Sequence, residues 1–229
     1  MFYLGFTDIL TFGLFILSIA VVLGAQHYIN SSFKKYRATR NNNNVTGFEV
    51  ARKMLDNNGL KNVHIVEVKQ NLADHYDPNQ KVVRLSTPIF HEASIAAASI
   101  AAHEVGHAIQ DKENYIFMRI RAALVPVVNL ISYMGYFAIL IGILAGLFDF
   151  LMIGIYILIA TLIFQLVTLP VELDASKRAN EQLLKLELIE TSEKDKAKAM
   201  LNAAALTYVA ALVSTILTIL RLWLMSRSR

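Results

Sequence analysis

The chain contains no cysteine. Disulfide bonds are therefore excluded, and so are thiolate ligands for zinc; a metal site here must be built from histidine and carboxylate. Charge is also missing, in blocks. No Asp, Glu, Lys or Arg occurs in residues 9–33, 122–148, 150–171 or 199–220. Each block reaches the roughly 20 residues that a helix needs to cross the hydrocarbon core of a bilayer. A soluble domain of 229 residues, 55% of them hydrophobic, would lack the surface to cover four such helices. No basic patch is interleaved with aromatic residues, and the net charge of +4 is modest, so nucleic acid is not an expected partner. No internal repeat is present and the apolar blocks hold few charges, so no ion path of a transporter is visible.

A basic segment is missing before the first apolar block, which therefore lacks the n-region of a secretory signal. Lys34, Lys35, Arg37 and Arg40 follow the block instead. That order reads as an uncleaved anchor with its N-terminus outside and the next segment in the cytoplasm. Alternation of the later spans puts 34–121 and 172–198 inside, the second with Lys177, Arg178, Lys185, Lys194, Lys196 and Lys198. It puts a tight turn at Phe148-Asp149-Phe150 outside, where no basic residue stands. Arg221, Arg227 and Arg229 run against the rule at the outer end of the last span, but the inside segments are far richer in Lys and Arg.

Between the spans, local signals accumulate. Asn41 to Asn44 reads as a short polar linker. Thr46 and Glu49 have capping-box spacing, and the helix they open places Phe48, Ala51, Met54 and Leu55 on one stripe before Asn58-Gly59 stops it. Residues 63–68 and 81–85 are rich in β-branched residues, with a turn at Asp77-Pro78-Asn79-Gln80 and an end at Pro88. They predict a small antiparallel β unit over 63–87. From about Glu92 to Gln110 the chain is alanine-rich and helical. A further helix begins near Glu172 and passes Asp174, Lys177 and Arg178. The expected organisation is an anchor at 9–30, a catalytic region at 45–118, a transmembrane hairpin at 122–171, a cytoplasmic helix at 172–198 and a last transmembrane helix at 199–222.

Residues 103–107 read His-Glu-Val-Gly-His, an H-E-x-x-H motif inside the alanine-rich helix. Positions i and i+4 share a helix face, so His103 and His107 can present ring nitrogens to one zinc. Glu104 is rotated to the flank, where it can act as a general base on an attacking water without ligating the metal. Gly106 costs about 1 kcal/mol of helix stability relative to Ala, and clearance for the metal-facing neighbours would account for it. A catalytic zinc needs a third protein ligand and an open position. Without cysteine the ligand is His, Glu or Asp. Glu172, at the end of the third apolar block, is the most suggestive candidate, with Asp174 as the fallback ligand or as an acceptor that orients a ligating histidine. His75 and Tyr76, before the 77–80 turn, are candidates for substrate binding, and Arg178 is another. His27, His64 and His91 read as packed or solvated residues.

The runs Asp74-His75-Tyr76-Asp77-Pro78, Val83-Arg84-Leu85-Ser86, Ala101 to Gln110 and Leu169-Pro170-Val171-Glu172-Leu173-Asp174-Ala175-Ser176, with the apolar layout, resemble the YugP-type neutral zinc metallopeptidases of bacterial membranes. More distantly the plan is similar to the HtpX and prenyl-protein (CAAX) endopeptidases. The resemblance implies a zinc-dependent peptidase of the cell membrane, multi-pass, with one Zn2+ per chain, His103, His107 and Glu172 as ligands and Glu104 as base. Its partners would be a protein or peptide substrate and the lipid bilayer; nothing in the motifs points to an oligomeric partner. The distant relatives usually carry Asp four residues after the ligating Glu; here that position is Ser176 and the Asp comes at 174, which leaves the role of Asp174 open. The implied fold is mainly α, a polytopic membrane protein with about four transmembrane helices and a small α+β, zincin-like catalytic region on the cytoplasmic side.

Overall fold

The computed structural model describes residues 6–70 and 73–227; Arg229, one of the basic residues that run against the topology rule, lies outside them. The chain is mainly helical, with one small sheet. In order the elements are α1 (Phe6–Arg37), α2 (Gly47–Asn57), β1 (His64–Val68), β2 (His75–Asp77), β3 (Val82–Ser86), α3 (Thr87–His91), α4 (Ile95–Lys112), α5 (Ile116–Leu144), α6 (Phe148–Lys185), a 3-10 turn at Thr191–Glu193, and α7 (Lys194–Arg227). Contacts divide the chain into two units, one of residues 27–119 with 170–206 and one of residues 1–26, 120–169 and 207–229.

The unit of 27–119 and 170–206 has a core of conventional kind. Met54, Leu55, Leu85, Ile89, Ile95, Leu183 and Leu188 are fully buried in it. The signals that open and close α2 are realised. Thr46 accepts from the Glu49 N–H, the Glu49 carboxylate accepts from the Thr46 N–H, and Asn58 caps the C-terminus. Gly59 follows with φ +68°, a conformation that favours glycine.

Three expectations need correction. The sheet is not a simple antiparallel pair: its order is β1-β3-β2, with β1 parallel to β3 and β2 antiparallel to β3. The turn after Asp77 folds β2 back along one edge of β3, and β1 pairs with the other edge. β2 stands between β1 and β3 in the chain, so the two parallel strands are not joined by a direct hairpin. The asparagine run is not a linker either. Asn41 is buried and exchanges hydrogen bonds with Val45; the Asn42 N–H donates to Glu193 Oε1 at 3.0 Å and Asn43 Nδ2 to the Glu187 carbonyl at 2.8 Å. The alanine-rich helix begins at Ile95 and not near Glu92, since Glu92 and Ser94 are extended and Ser94 caps α4 by accepting from the Ala97 N–H at 3.1 Å.

The other unit is built from apolar helix. Four helical stretches are long and apolar enough to cross a membrane: Asp8–Arg37, Ile116–Leu144, Phe148–Lys185 and Thr191–Arg227. Its buried cluster is small, with Leu151, Ile155 and Leu222 at the centre. Large apolar side chains such as Leu130, Phe137 and Leu144 are exposed instead. α5 and α6 approach closely at glycine: a Cβ on Gly142 would stand 2.7 Å from the Leu151 backbone nitrogen, the kind of small-residue contact by which helices pack in lipid. The turn between them lies at 145–147, with Gly146 at φ +68°, and not at Phe148-Asp149-Phe150, which begins α6.

α6 also runs unbroken through Pro170 where a new helix near Glu172 was expected. Proline deprives the Leu166 carbonyl of its usual donor, a loss of about 3 kcal/mol in a helix interior. The complete burial of Val171, Ala175, Ala179 and Leu183 beyond it offsets that loss.

Candidate metal centre

Two helix segments of the 27–119/170–206 unit build the site: α4 and the part of α6 after Pro170. α4 buries almost its whole circumference, and alanine supplies more of it than any other residue type. Small side chains let backbones approach, and the closest approach is at Gly106. A Cβ there would lie 2.7 Å from the Ala175 carbonyl oxygen. The glycine therefore clears the α6 backbone, not the metal-facing neighbours.

This crossing brings together His103, His107 and Glu172, whose candidate ligand atoms all lie within 4.8 Å of one another. His103 Nε2 is 3.2 Å from Glu172 Oε2 and His107 Nε2 is 3.7 Å from the same oxygen. The two imidazoles stand edge to face, 4.8 Å between centroids at 83°. Ligand atoms about 2.0–2.2 Å from a tetrahedral zinc would be about 3.3–3.6 Å apart, so the two distances from Glu172 suit such an ion. The donor chemistry suits it as well, since two imidazoles and a carboxylate leave one position open. His107 and Glu172 are buried. Burial acts to lower the His107 pKa, but the hydrogen bond and charge of Glu172, the charge of Glu104 and the Gln110 hydrogen bond outweigh it, and the group is held above the ordinary imidazole value.

Glu104 is buried beside this cluster and is held from another direction. Its Oε2 accepts the backbone N–H of Tyr76 at 3.0 Å. Tyr76 is the middle residue of β2, paired with Val83. Its hydroxyl donates to Asp111 Oδ2 at 2.7 Å, an oxygen that Lys81 Nζ also reaches at 2.5 Å. Glu104 and Asp111 are seven residues apart on α4, hence on one face, so β2 is tied along the helix at two points.

The far sides of the histidines are also engaged. His107 Nδ1 lies 2.9 Å from Gln110 Oε1. Gln110 Nε2 donates to the Val171 carbonyl and to Asp174 Oδ2, both at 2.8 Å. Arg178 Nε donates to the same Asp174 oxygen at 2.5 Å, and its NH1 group to Glu113 Oε2 at 2.6 Å. His103 Nδ1 lies 3.1 Å from Ser176 Oγ. Asp174 and Arg178 are thus joined to the cluster through Gln110, and Asp174 is not among the three converging ligand groups. His75 is not brought to the cluster: its Nδ1 lies 2.7 Å from the Ala73 carbonyl and its Nε2 3.3 Å from Arg84 NH1.

Gln110 and Ser176 were not singled out from the sequence. A signal existed for both. Gln110 is one turn after His107, and Ser176 holds the position, four residues after Glu172, where the distant relatives carry Asp.

Residues 11–227 match the family described as "Putative neutral zinc metallopeptidase". The chain is 42% identical over 197 residues, 86% of its own length and 88% of the relative's, to a protein of Bacillus subtilis (strain 168) named "Putative membrane protease YugP". No solved structure matches.

Proposed function

The chain belongs to the neutral zinc metallopeptidase family, and from that membership and the cluster on α4 and α6 we propose that it is a membrane endopeptidase. His103 Nε2, His107 Nε2 and a Glu172 carboxylate oxygen hold one zinc. The observation that carries the reading is the convergence of these three groups within 4.8 Å, with an acid beside them that the metal does not need. Bound there, zinc supplies Lewis acidity, polarising the scissile carbonyl and lowering the pKa of a water. Glu104 is the general base. It takes the proton of the attacking water and delivers it to the leaving amine. The Tyr76 N–H keeps its carboxylate directed while a second oxygen is left for that task.

The substrate binds in extended form along β2. That strand is an edge of the sheet, and an edge accepts an added strand through main-chain hydrogen bonds. An N–H on β2 already reaches the base, so a peptide paired there passes the reacting groups. The substrates are membrane or membrane-proximal polypeptides, and the bilayer is the second partner. The basic residues after the first span and in 172–198 support a catalytic region on the cytoplasmic side of the cell membrane.

Glu104→Gln separates this reading from that of a zinc-binding scaffold. The variant keeps size and hydrogen bonding but has no base. It is expected to retain zinc near wild-type occupancy and to lose at least about 10²-fold in peptidase activity, the low end of what general acid–base catalysis contributes. Zinc content by mass spectrometry is measured beside cleavage of membrane proteins that accumulate in cells carrying the variant. Undiminished cleavage by Glu104→Gln would remove the mechanism. Wild-type protein that binds zinc and leaves those candidates uncut would favour the scaffold.

A further inference from the structure

The hydrogen-bond partners of the buried Gln110 side chain admit one orientation of its amide, and that orientation decides how His107 can bind. Gln110 is wholly buried. Two acceptors face one end of its amide, the Val171 carbonyl and Asp174 Oδ2, each at 2.8 Å. An amide nitrogen has two hydrogens, and these acceptors use both. Turning the amide over would set its oxygen against two other oxygens. The oxygen Oε1 therefore faces His107 Nδ1, at 2.9 Å. A carboxamide oxygen only accepts, so Nδ1 must carry the hydrogen, and the lone pair of the neutral ring is on Nε2, the nitrogen that faces Glu172.

The geometry points to Gln110 as the positioning residue that fixes the tautomer and ring direction of His107 for metal, with Asp174 fixing Gln110 and Arg178 fixing Asp174. This rests on the zinc reading above and assigns the chain Glu113–Arg178–Asp174–Gln110–His107 a task within it. Asp174 is tied at both ends, since the oxygen that accepts from Gln110 also accepts from Arg178 at 2.5 Å. Arg178 is anchored in turn on Glu113 at 2.6 Å. Among the described residues His103 has no equivalent device. Its Nδ1 faces the Ser176 hydroxyl, which can donate or accept and so permits either tautomer. The two histidines are therefore unequally set: His107 is prepared before the metal arrives, whereas the His103 ring is committed by binding.

The test uses the full chain in detergent micelles, labelled with 15N-histidine, and three variants: Gln110→Met, Gln110→Glu and Asp174→Ala. Met fills the same space without an acceptor, and Glu restores an acceptor toward Nδ1. Zinc affinity is read by chelator competition, and the protonated ring nitrogen of His107 by long-range 15N–1H correlation in the zinc-loaded protein. Gln110→Met is expected to weaken zinc binding by about 10–100-fold, the usual effect of removing a partner of a ligating histidine. Gln110→Glu is expected to recover only part of that loss, because its second oxygen meets the Val171 carbonyl and Asp174 Oδ2 where the amide donated, and Asp174→Ala to lose less than Gln110→Met, since the Val171 carbonyl still holds one amide hydrogen. The wild-type spectrum should show hydrogen on Nδ1 of His107.

A wild-type spectrum with hydrogen on Nε2 of His107 overturns the inference without the variants, even if one of them fails to fold. Folded Gln110→Met with wild-type zinc affinity overturns it too, and leaves the zinc reading intact. Wild type that binds no zinc overturns the zinc reading instead. The metal-free spectrum at alkaline pH then still decides the tautomer.

Discussion

α4 and α5 are both apolar helices, and they bury opposite things. α4 hides nearly every side chain inside protein, including Glu104, His107 and Gln110. α5 is longer, yet only Val128, Gly135, Ala138 and Gly142 are buried. Its large residues point away from protein: Leu130 is 67% exposed and Phe137 65%. The difference is one of side-chain size by solvent. Where the neighbour is protein, small residues allow close approach, and Glu104, His107 and Gln110 each have a hydrogen-bond partner. Where the neighbour is lipid, large apolar residues face outward and small ones face the next helix. Hydropathy marks α5 and not α4 as a span; the placement of small residues shows which side of each helix meets protein.

The largest expected effect strikes at the lipid side of the comparison. Leu130 is near the middle of α5 and exposed. Leu130→Asp should raise the free energy of membrane insertion of this segment by roughly 3–4 kcal/mol, the difference between the two residues at a helix centre. Insertion efficiency in a translocation assay reads this directly. Unchanged insertion, or a chain that stays soluble without detergent, would mean that the exposed face meets water.

On the α4 side, Glu172→Ala removes one of the three converging groups and leaves two imidazoles, of which His107 is buried and His103 half-buried. Zinc affinity should fall by more than about 100-fold, beyond the upper end for residues that only support a ligand. Chelator competition would show it. A smaller loss would transfer the third-ligand role to another carboxylate, with Asp174 the first to test.

Acid should act on the same site. His107 is held above its ordinary value, with burial overcome by Glu172 and Glu104. Zinc requires the neutral ring, so affinity is full above the raised pKa and falls as pH drops through it. One competing proton gives about tenfold per pH unit, and the decline begins at higher pH than the ordinary imidazole value of about 6.5. Zinc titrations between pH 5 and 8 measure it. An affinity flat across that window would show that His107 is not a ligand.

The same contrast explains what could be read from the sequence. The spans announce themselves by the absence of charge, and His-Glu-Val-Gly-His by a spacing that only a helix makes useful. Thr46, Glu49 and Asn58 are local chemistry and needed nothing from the rest of the chain. The parallel pairing of β1 with β3 was hidden because it depends on which edge β2 takes, a long-range matter. The asparagines looked like a linker because polarity shows in the sequence while their partners, Glu187 and Glu193, are far along the chain. Gln110 and Ser176 were missed for a related reason: an acceptor for a histidine Nδ1 can be any of several residue types, and only the crossing of α4 and α6 selects them.

The smallest effect makes the comparison with one residue type. Gly13 lies in α1, where a Cβ would meet nothing within 4 Å. Gly106 lies in α4, where a Cβ would meet the Ala175 carbonyl oxygen at 2.7 Å. Alanine is favoured over glycine in a helix by up to about 1 kcal/mol, and at Gly13 nothing opposes it. Gly13→Ala should therefore be neutral or stabilising by less than about 1 kcal/mol, with zinc affinity unchanged. At Gly106 the same gain is set against overpacking of a carbonyl that cannot rotate away, a cost of about 1–3 kcal/mol. The net effect of Gly106→Ala is a loss on the order of 1 kcal/mol. It should also weaken zinc binding, because the displaced backbone is that of Ala175, three residues from Glu172. Thermal unfolding in detergent and chelator competition on both variants supply the readings. If the two glycines respond alike, the α4–α6 crossing is looser than the Ala175 contact requires, and the close approach is not what holds Glu172 against the two histidines.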